Sequence, residues 1–240
     1  MEQVRPFVDE RLGCFCYACN GAPATRDHVP AKVFLDEPFP DNLPIVGACR
    51  ACNEGASIDE EYVACLLEVA ACGFRNEPER PKIRRIFRER PAIVARLGRA
   101  MTPEGCIAVE HERVQQVITK LARGLWSYEI GEPTELMKAE VRFNPIATLS
   151  DDDLDAFLAI SAPTIFPEVG SRLMIKVIEG LGEGQGFHPW QIVQPSRFSY
   201  AVDIGGGGAS ARVKMIIRDV LAAEVDLVAS SNPDPGRITR

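Results

Sequence analysis

Apolar positions along this chain shift from helical to strand spacing. Cys65, Leu66, Leu67, Val69 and Cys72 recur on one face and predict an amphipathic helix over residues 60–72, ending near Gly73. Ile83, Ile86 and Phe87, then Ile93, Val94 and Leu97, predict two short helices separated by Pro91, which cannot continue a helical ladder. Val114, Val117, Ile118, Leu121 and Leu125 predict the longest helix, residues 110–130, with Gly131 as its stop. Ser150 followed by Asp151, Asp152 and Asp153 reads as a capped helix start. Beyond it the runs 173–178, 190–193, 198–202 and 213–217 read as strands, with glycine-rich turns at 182–186 and 205–208. A shorter apolar run, Cys106 to Val109, reads as one further strand. The pattern predicts an α+β protein: an N-terminal unit, a helical middle, and a C-terminal antiparallel sheet with flanking helices.

Composition narrows the class. The 240 residues are 46% hydrophobic and 25% charged, the balance of a globular chain that buries a substantial core. No apolar run is long enough to span a bilayer, and the acidic N-terminus lacks an apolar signal core, so the chain is expected in the cytoplasm with no membrane partner. In that reducing compartment, eight cysteines are ligands or core thiols rather than disulfides. Neither glycine-rich stretch opens a helix after a strand, so neither marks a dinucleotide site.

The cysteines divide into two sets. Cys16 and Cys19 form C-Y-A-C, and Cys49 and Cys52 form C-R-A-C. Each spacing turns two sulfurs toward one point, and two such knuckles complete a tetrahedral Zn²⁺ site. Four thiolates close that site, leaving no open position for zinc chemistry. A thioredoxin-like redox pair would need only one such motif, and unliganded paired thiols are the remaining alternative. Cys14 is expected on an extended strand pointing elsewhere, while Cys65, Cys72 and Cys106 read as packing residues.

Between the knuckles lie Asp27-His28, then Asn42-Leu43-Pro44, and Asn53 directly follows the last cysteine. Each has an ordinary structural role open to it. Asp-His pairs occur as surface ion pairs, Asn42 suits a turn, and Asn53 could cap the helix that follows. The order C-x-x-C, D-H, N-L, C-x-x-C-N over roughly residues 14–62 nevertheless resembles the HNH endonuclease family, in its zinc-stapled ββα-metal subclass. The resemblance implies that His28 is a general base, that Asn42 orients its ring through the loop backbone, and that Asp27 and Asn53 hold one Mg²⁺ or Mn²⁺ ion. It also implies hydrolysis of DNA phosphodiesters to a 5′-phosphate. A neutral imidazole suits proton abstraction near pH 7, and a hard divalent ion suits oxygen donors. One departure from the family pattern is the lack of a lysine shortly after Asn53. Ser57, Asp59 and Glu60 stand there instead and read as a helix start.

The net charge of −7 is unevenly placed. From Arg75 to Arg99, nine basic residues face three acidic ones, a local +6. Such a run is commonly a solvated face, with arginines outward; beside a nuclease module Arg84, Arg85 and Arg88 become candidates for gripping nucleic-acid phosphates. The expected organisation is residues 1–62 as the zinc-stapled module, 63–145 helical and arginine-rich, 146–230 α+β with no assigned role, and 231–240 a flexible tail. The competing function is an inactive zinc ribbon that binds DNA or protein.

Overall fold

The computed structural model describes residues 8–73, 78–102, 107–160, 167–182, 189–204 and 210–229. The chain is α+β, with a Cys₄ cluster near its N-terminus and a five-stranded antiparallel sheet near its C-terminus. A short helix α1 (Val8–Arg11) precedes a two-stranded antiparallel hairpin, β1 (Thr25–His28) and β2 (Ile45–Ala48). Helices α2 (Arg50–Glu54), α3 (Ser57–Cys72), α4 (Pro81–Glu89), α5 (Pro91–Ala100) and α6 (His111–Ile130) follow. Then come β3 (Met137–Pro145), α7 (Asp151–Leu158), α8 (Arg172–Gly182) and strands β4 (Gln191–Gln194), β5 (Phe198–Asp203), β6 (Ser210–Ile217) and β7 (Leu221–Ala229). The larger sheet has the order β3-β7-β6-β5-β4.

Helix α6 is the axis on which the rest is assembled. Its stripe of Val114, Val117, Ile118, Leu121 and Leu125 is fully buried, and the helix packs on α3, on α8 and on strands of both sheets. It ends at Gly131, whose N–H donates to the Ser127 carbonyl at 2.7 Å. It comes close to the end of β1 at Gly124, where a Cβ would lie 2.6 Å from the Cγ2 methyl of Val29, so glycine lets the helix come this near. The Pro91 break between α4 and α5 and the Ser150 cap fall as the sequence predicts; the Ser150 hydroxyl accepts from the Asp153 N–H at 3.1 Å.

Several expectations are corrected. Residues 173–178, read as a strand, lie in α8. Leu173 and Val177, four apart, are buried while Ile178 is exposed, which is a helical period, and the Ser171 hydroxyl accepts from the Met174 N–H at 3.1 Å to start it. The segment expected to be helical through residue 145 ends in a strand: β3 pairs with β7 along its whole length, Val141 opposite Val225. Cys14 lies in the turn after α1 rather than on a strand, exposed, with its N–H bonded to the Arg11 carbonyl at 2.8 Å. Not every arginine of the basic run faces outward, since Arg80 is buried. Gly182, read as opening a turn, is the last residue of α8; Cys106, residues 183–186, His188, the glycine turn at 205–208 and the tail from residue 230 lie outside the described residues. Among the described residues no helix is long and apolar enough to cross a membrane.

Candidate functional site

The four cysteines of the two knuckles come together, their sulfurs all within 4.8 Å of one another. In the first knuckle the Cys16 N–H donates to the Gly21 carbonyl at 2.8 Å, and the Asn20 N–H to the Cys16 carbonyl at 2.9 Å. In the second, Cys49 caps α2 and its sulfur accepts from the Cys52 N–H at 3.4 Å. Tetrahedral zinc at about 2.3 Å from each ligand needs sulfurs about 3.8 Å apart, and Cys19 and Cys49 stand at 3.8 Å. Burial works against the Cys16 thiolate, but backbone hydrogen bonds at Cys49, Cys19 and Ala18 bring its pKa down to about 7. Burial and the neighbouring sulfurs push Cys52 the other way. Four thiols so disposed can hold a metal such as zinc. The first knuckle is sewn to β2 at Gly47, where a Cβ would meet the Leu12 and Phe15 carbonyl oxygens at 2.6 Å.

The hairpin carries Asp27 opposite Val46 and His28 opposite Ile45. Adjacent strand residues face opposite sides. Asp27 turns into the protein, 6% exposed, and its Oδ2 lies 3.1 Å from the Lys120 ammonium on α6, with the Tyr17 hydroxyl donating to it over 3.4 Å. Lys120 also donates to Glu60 Oε1 at 2.7 Å and to the Asn53 carbonyl at 3.3 Å. Burial raises the pKa of Glu60, and Lys120 only partly offsets it. Asn53 sits inside α2, so it does not serve as a cap; its amide donates to Thr25 Oγ1 at 3.0 Å and holds α2 against β1. Ser57 to Glu60 start α3 as the sequence predicts, and the two acids of that first turn also pair across the fold: Asp59 with Arg113 at 3.1 Å and Glu60, turned inward, with Lys120.

His28 is half-buried, and its Nδ1 is buried without a hydrogen-bond partner. Burial, then the Lys32 ammonium, lower its pKa below the ordinary 6.5, with Asp27 pulling weakly the other way. The ring is therefore neutral near pH 7, the form a general base requires. The Asn42 side chain is exposed and lines a cavity with Thr25, Arg26, Tyr128 and Arg172; an orienting role through the loop backbone stays what the resemblance implies. Arg84, Arg85 and Arg88 lie on the exposed face of α4, opposite buried Ile83 and Ile86, and Arg85 pairs loosely with Glu89 at 3.8 Å.

The residues on which a divalent ion would rest partly fit it. Oxygens of Asp27, Glu60 and Asn53 converge on one position, a slot whose chemistry suits a hard cation. The Lys120 ammonium fills that slot, so an ion and Lys120 compete for the same carboxylates. Sequence reasoning missed Lys120 because it sits among the apolar positions of α6, and no spacing links it to residue 27. Compared with protein-family models, curated proteins and solved structures, the chain matches none.

Proposed function

We propose that the cysteine-bound hairpin and its helices form an HNH-type endonuclease site that hydrolyses phosphodiester bonds in DNA. The observation that carries the reading is a neutral, half-buried His28 next in the strand to Asp27, whose carboxylate converges with oxygens of Glu60 and Asn53 on one position. His28 takes a proton from water, the water oxygen bonds to phosphorus as the bond to the 3′ oxygen breaks, and the 3′ oxygen takes a proton from solvent, giving a 5′-phosphate and a 3′-hydroxyl. Mg²⁺ or Mn²⁺ held through Asp27 and Asn53 would supply charge neutralisation at the phosphate and the leaving oxygen. Zinc in the four cysteines would fix the hairpin, and Arg84, Arg85 and Arg88 would hold flanking phosphates. The test is incubation of purified protein with supercoiled plasmid and Mg²⁺ or Mn²⁺. Cleavage lost in His28→Ala and in EDTA is expected; cleavage that survives His28→Ala would refute the mechanism.

One observation favours a second reading, an inactive zinc-ribbon module that binds DNA or protein. Lys120 already satisfies the carboxylates that an ion would need. Gel-shift of the same plasmid without any cleavage would carry that reading.

A further inference from the structure

A second feature lies beyond the cation slot, where the segment after β1 meets α4 and the turns of the large sheet. Asp36 is its centre. Its Oδ1 accepts from Arg80 Nε at 2.6 Å and faces Arg218 Nη1 at 3.4 Å, and its Oδ2 accepts from Arg197 Nε. Glu68 adds a second carboxylate, itself buried, accepting from the Arg80 backbone N–H at 3.3 Å. Three guanidinium groups thus share two carboxylates. Arg80 and Arg218 are 6% and 9% exposed, and each leaves a buried nitrogen, Nη1 and Nε, with no hydrogen-bond partner. Three guanidinium groups on two carboxylates leave one positive charge in excess, and an excess charge in a poorly solvated place is relieved by a paired anion.

Beside this cluster is a cavity of about 740 Å³, whose rim adds Lys32, Lys82 and Arg85 against Glu37 and Glu79. Among the described lining residues, six cations face four carboxylates, a formal +2. Like charges crowd there: burial first, then Arg80 and Arg85, lower the Lys82 pKa, and burial and Arg80 lower that of Arg218. An entering anion opposes the like-charge part of both shifts. The cavity also has an apolar wall at Phe39, whose ring centroid lies 5.2 Å from the Lys32 ammonium. Its volume suits a ligand larger than a lone phosphate.

We infer that this cavity binds the phosphate groups of a nucleotide or a nucleic-acid strand, held by Arg197, Lys82 and Arg85 over the buried Arg80–Asp36–Arg218 cluster. The inference does not require the nuclease reading, because binding is measured without turnover. If that reading holds, Lys32 joins the two places, since its ammonium acts on His28 and also lines the cavity.

Calorimetric titration of the full chain at low salt with sodium pyrophosphate, AMP and a short oligothymidylate tests it. Wild type is expected to bind pyrophosphate, and Lys82→Gln/Arg85→Gln, both at the rim and outside the Asp36 cluster, to bind it about tenfold more weakly. Arg197→Gln, with folding checked by circular dichroism, should weaken it further. Tighter binding of the oligothymidylate, displaced by pyrophosphate, identifies a nucleic-acid strand as the source; AMP binding without oligothymidylate binding identifies a free nucleotide. No binding of any of the three by wild type overturns the inference, as does unchanged binding by the double variant. Binding by a protein that cleaves nothing would sink the nuclease reading and leave this one standing.

Discussion

The ammonium of Lys120 lies 3.1 Å from Asp27 Oδ2, tying the middle of the longest helix to the strand that carries the Asp-His pair. Both side chains are buried, and Glu60 shares the same ammonium at 2.7 Å. The pair explains how two acidic groups coexist in a largely dry setting.

Removing that ammonium strands two carboxylates. Breaking a buried ion pair from one side costs about 3–5 kcal/mol, so Lys120→Met should lose about that much stability at neutral pH. The vacated slot should then take a cation, so Mn²⁺ should raise the melting temperature of Lys120→Met more than that of wild type. Denaturant unfolding and thermal scans with and without Mn²⁺ measure both effects; a loss under about 1 kcal/mol would mean the pair is dispensable.

His28 sets a pH signature. Its folded pKa lies below the 6.5 of the free side chain, so the unfolded chain takes up the proton first as pH falls. The stability this group contributes is complete above pH 6.5 and is lost as pH drops through the lower folded value. His28→Gln should flatten that limb of the stability curve. Titration of the imidazole C2 proton by NMR checks the direction, and a midpoint above 6.5 would contradict it.

The cysteine cluster predicts stoichiometric zinc in protein purified without chelator. Cys49→Ser should lose the metal and much of the stability, since structural zinc can contribute on the order of 10 kcal/mol of folding free energy. Elemental analysis together with thermal unfolding decides it, and a metal-free wild type with an unchanged melting temperature is the adverse result.

Gly124 sits where α6 touches Val29, the residue after His28. Alanine there gains about 1 kcal/mol of helix propensity but drives a methyl into the valine at 2.6 Å. Overpacking of about 1–3 kcal/mol should win, making Gly124→Ala destabilising. Val29→Ala in the same chain should relieve part of the loss, and a double-mutant cycle reads the coupling.

Helices α3 to α6 were legible because long apolar stripes at helical spacing and Gly and Pro stops agree with what tertiary packing selects. The cysteine cluster was legible because four residues of one chemistry at paired spacing leave few arrangements. The strand read at 173–178 failed for a physical reason: a six-residue apolar run has no period long enough to separate strand from helix. In β3 the alternation Met137, Ala139, Val141, Phe143 was present, but its polar partners Lys138, Glu140 and Arg142 resemble any charged surface until the pairing with β7 is known. Asn42 illustrates a different limit. A motif position gives residue type and order, while how the loop backbone at Asn42 bears on the imidazole depends on a loop path that spacing does not encode.

Helix α6 reaches both ends of the protein. Near its middle it gives Lys120 to the hairpin, and near its end Glu129, buried, accepts from Lys176 at 2.6 Å and from the Tyr200 hydroxyl at 2.6 Å. The cysteine hairpin is therefore not a portable cartridge. Excised at residue 62 or at the end of α3, it would leave behind the counterion of its own acidic residues, and a graft onto another scaffold would have to bring a lysine with it.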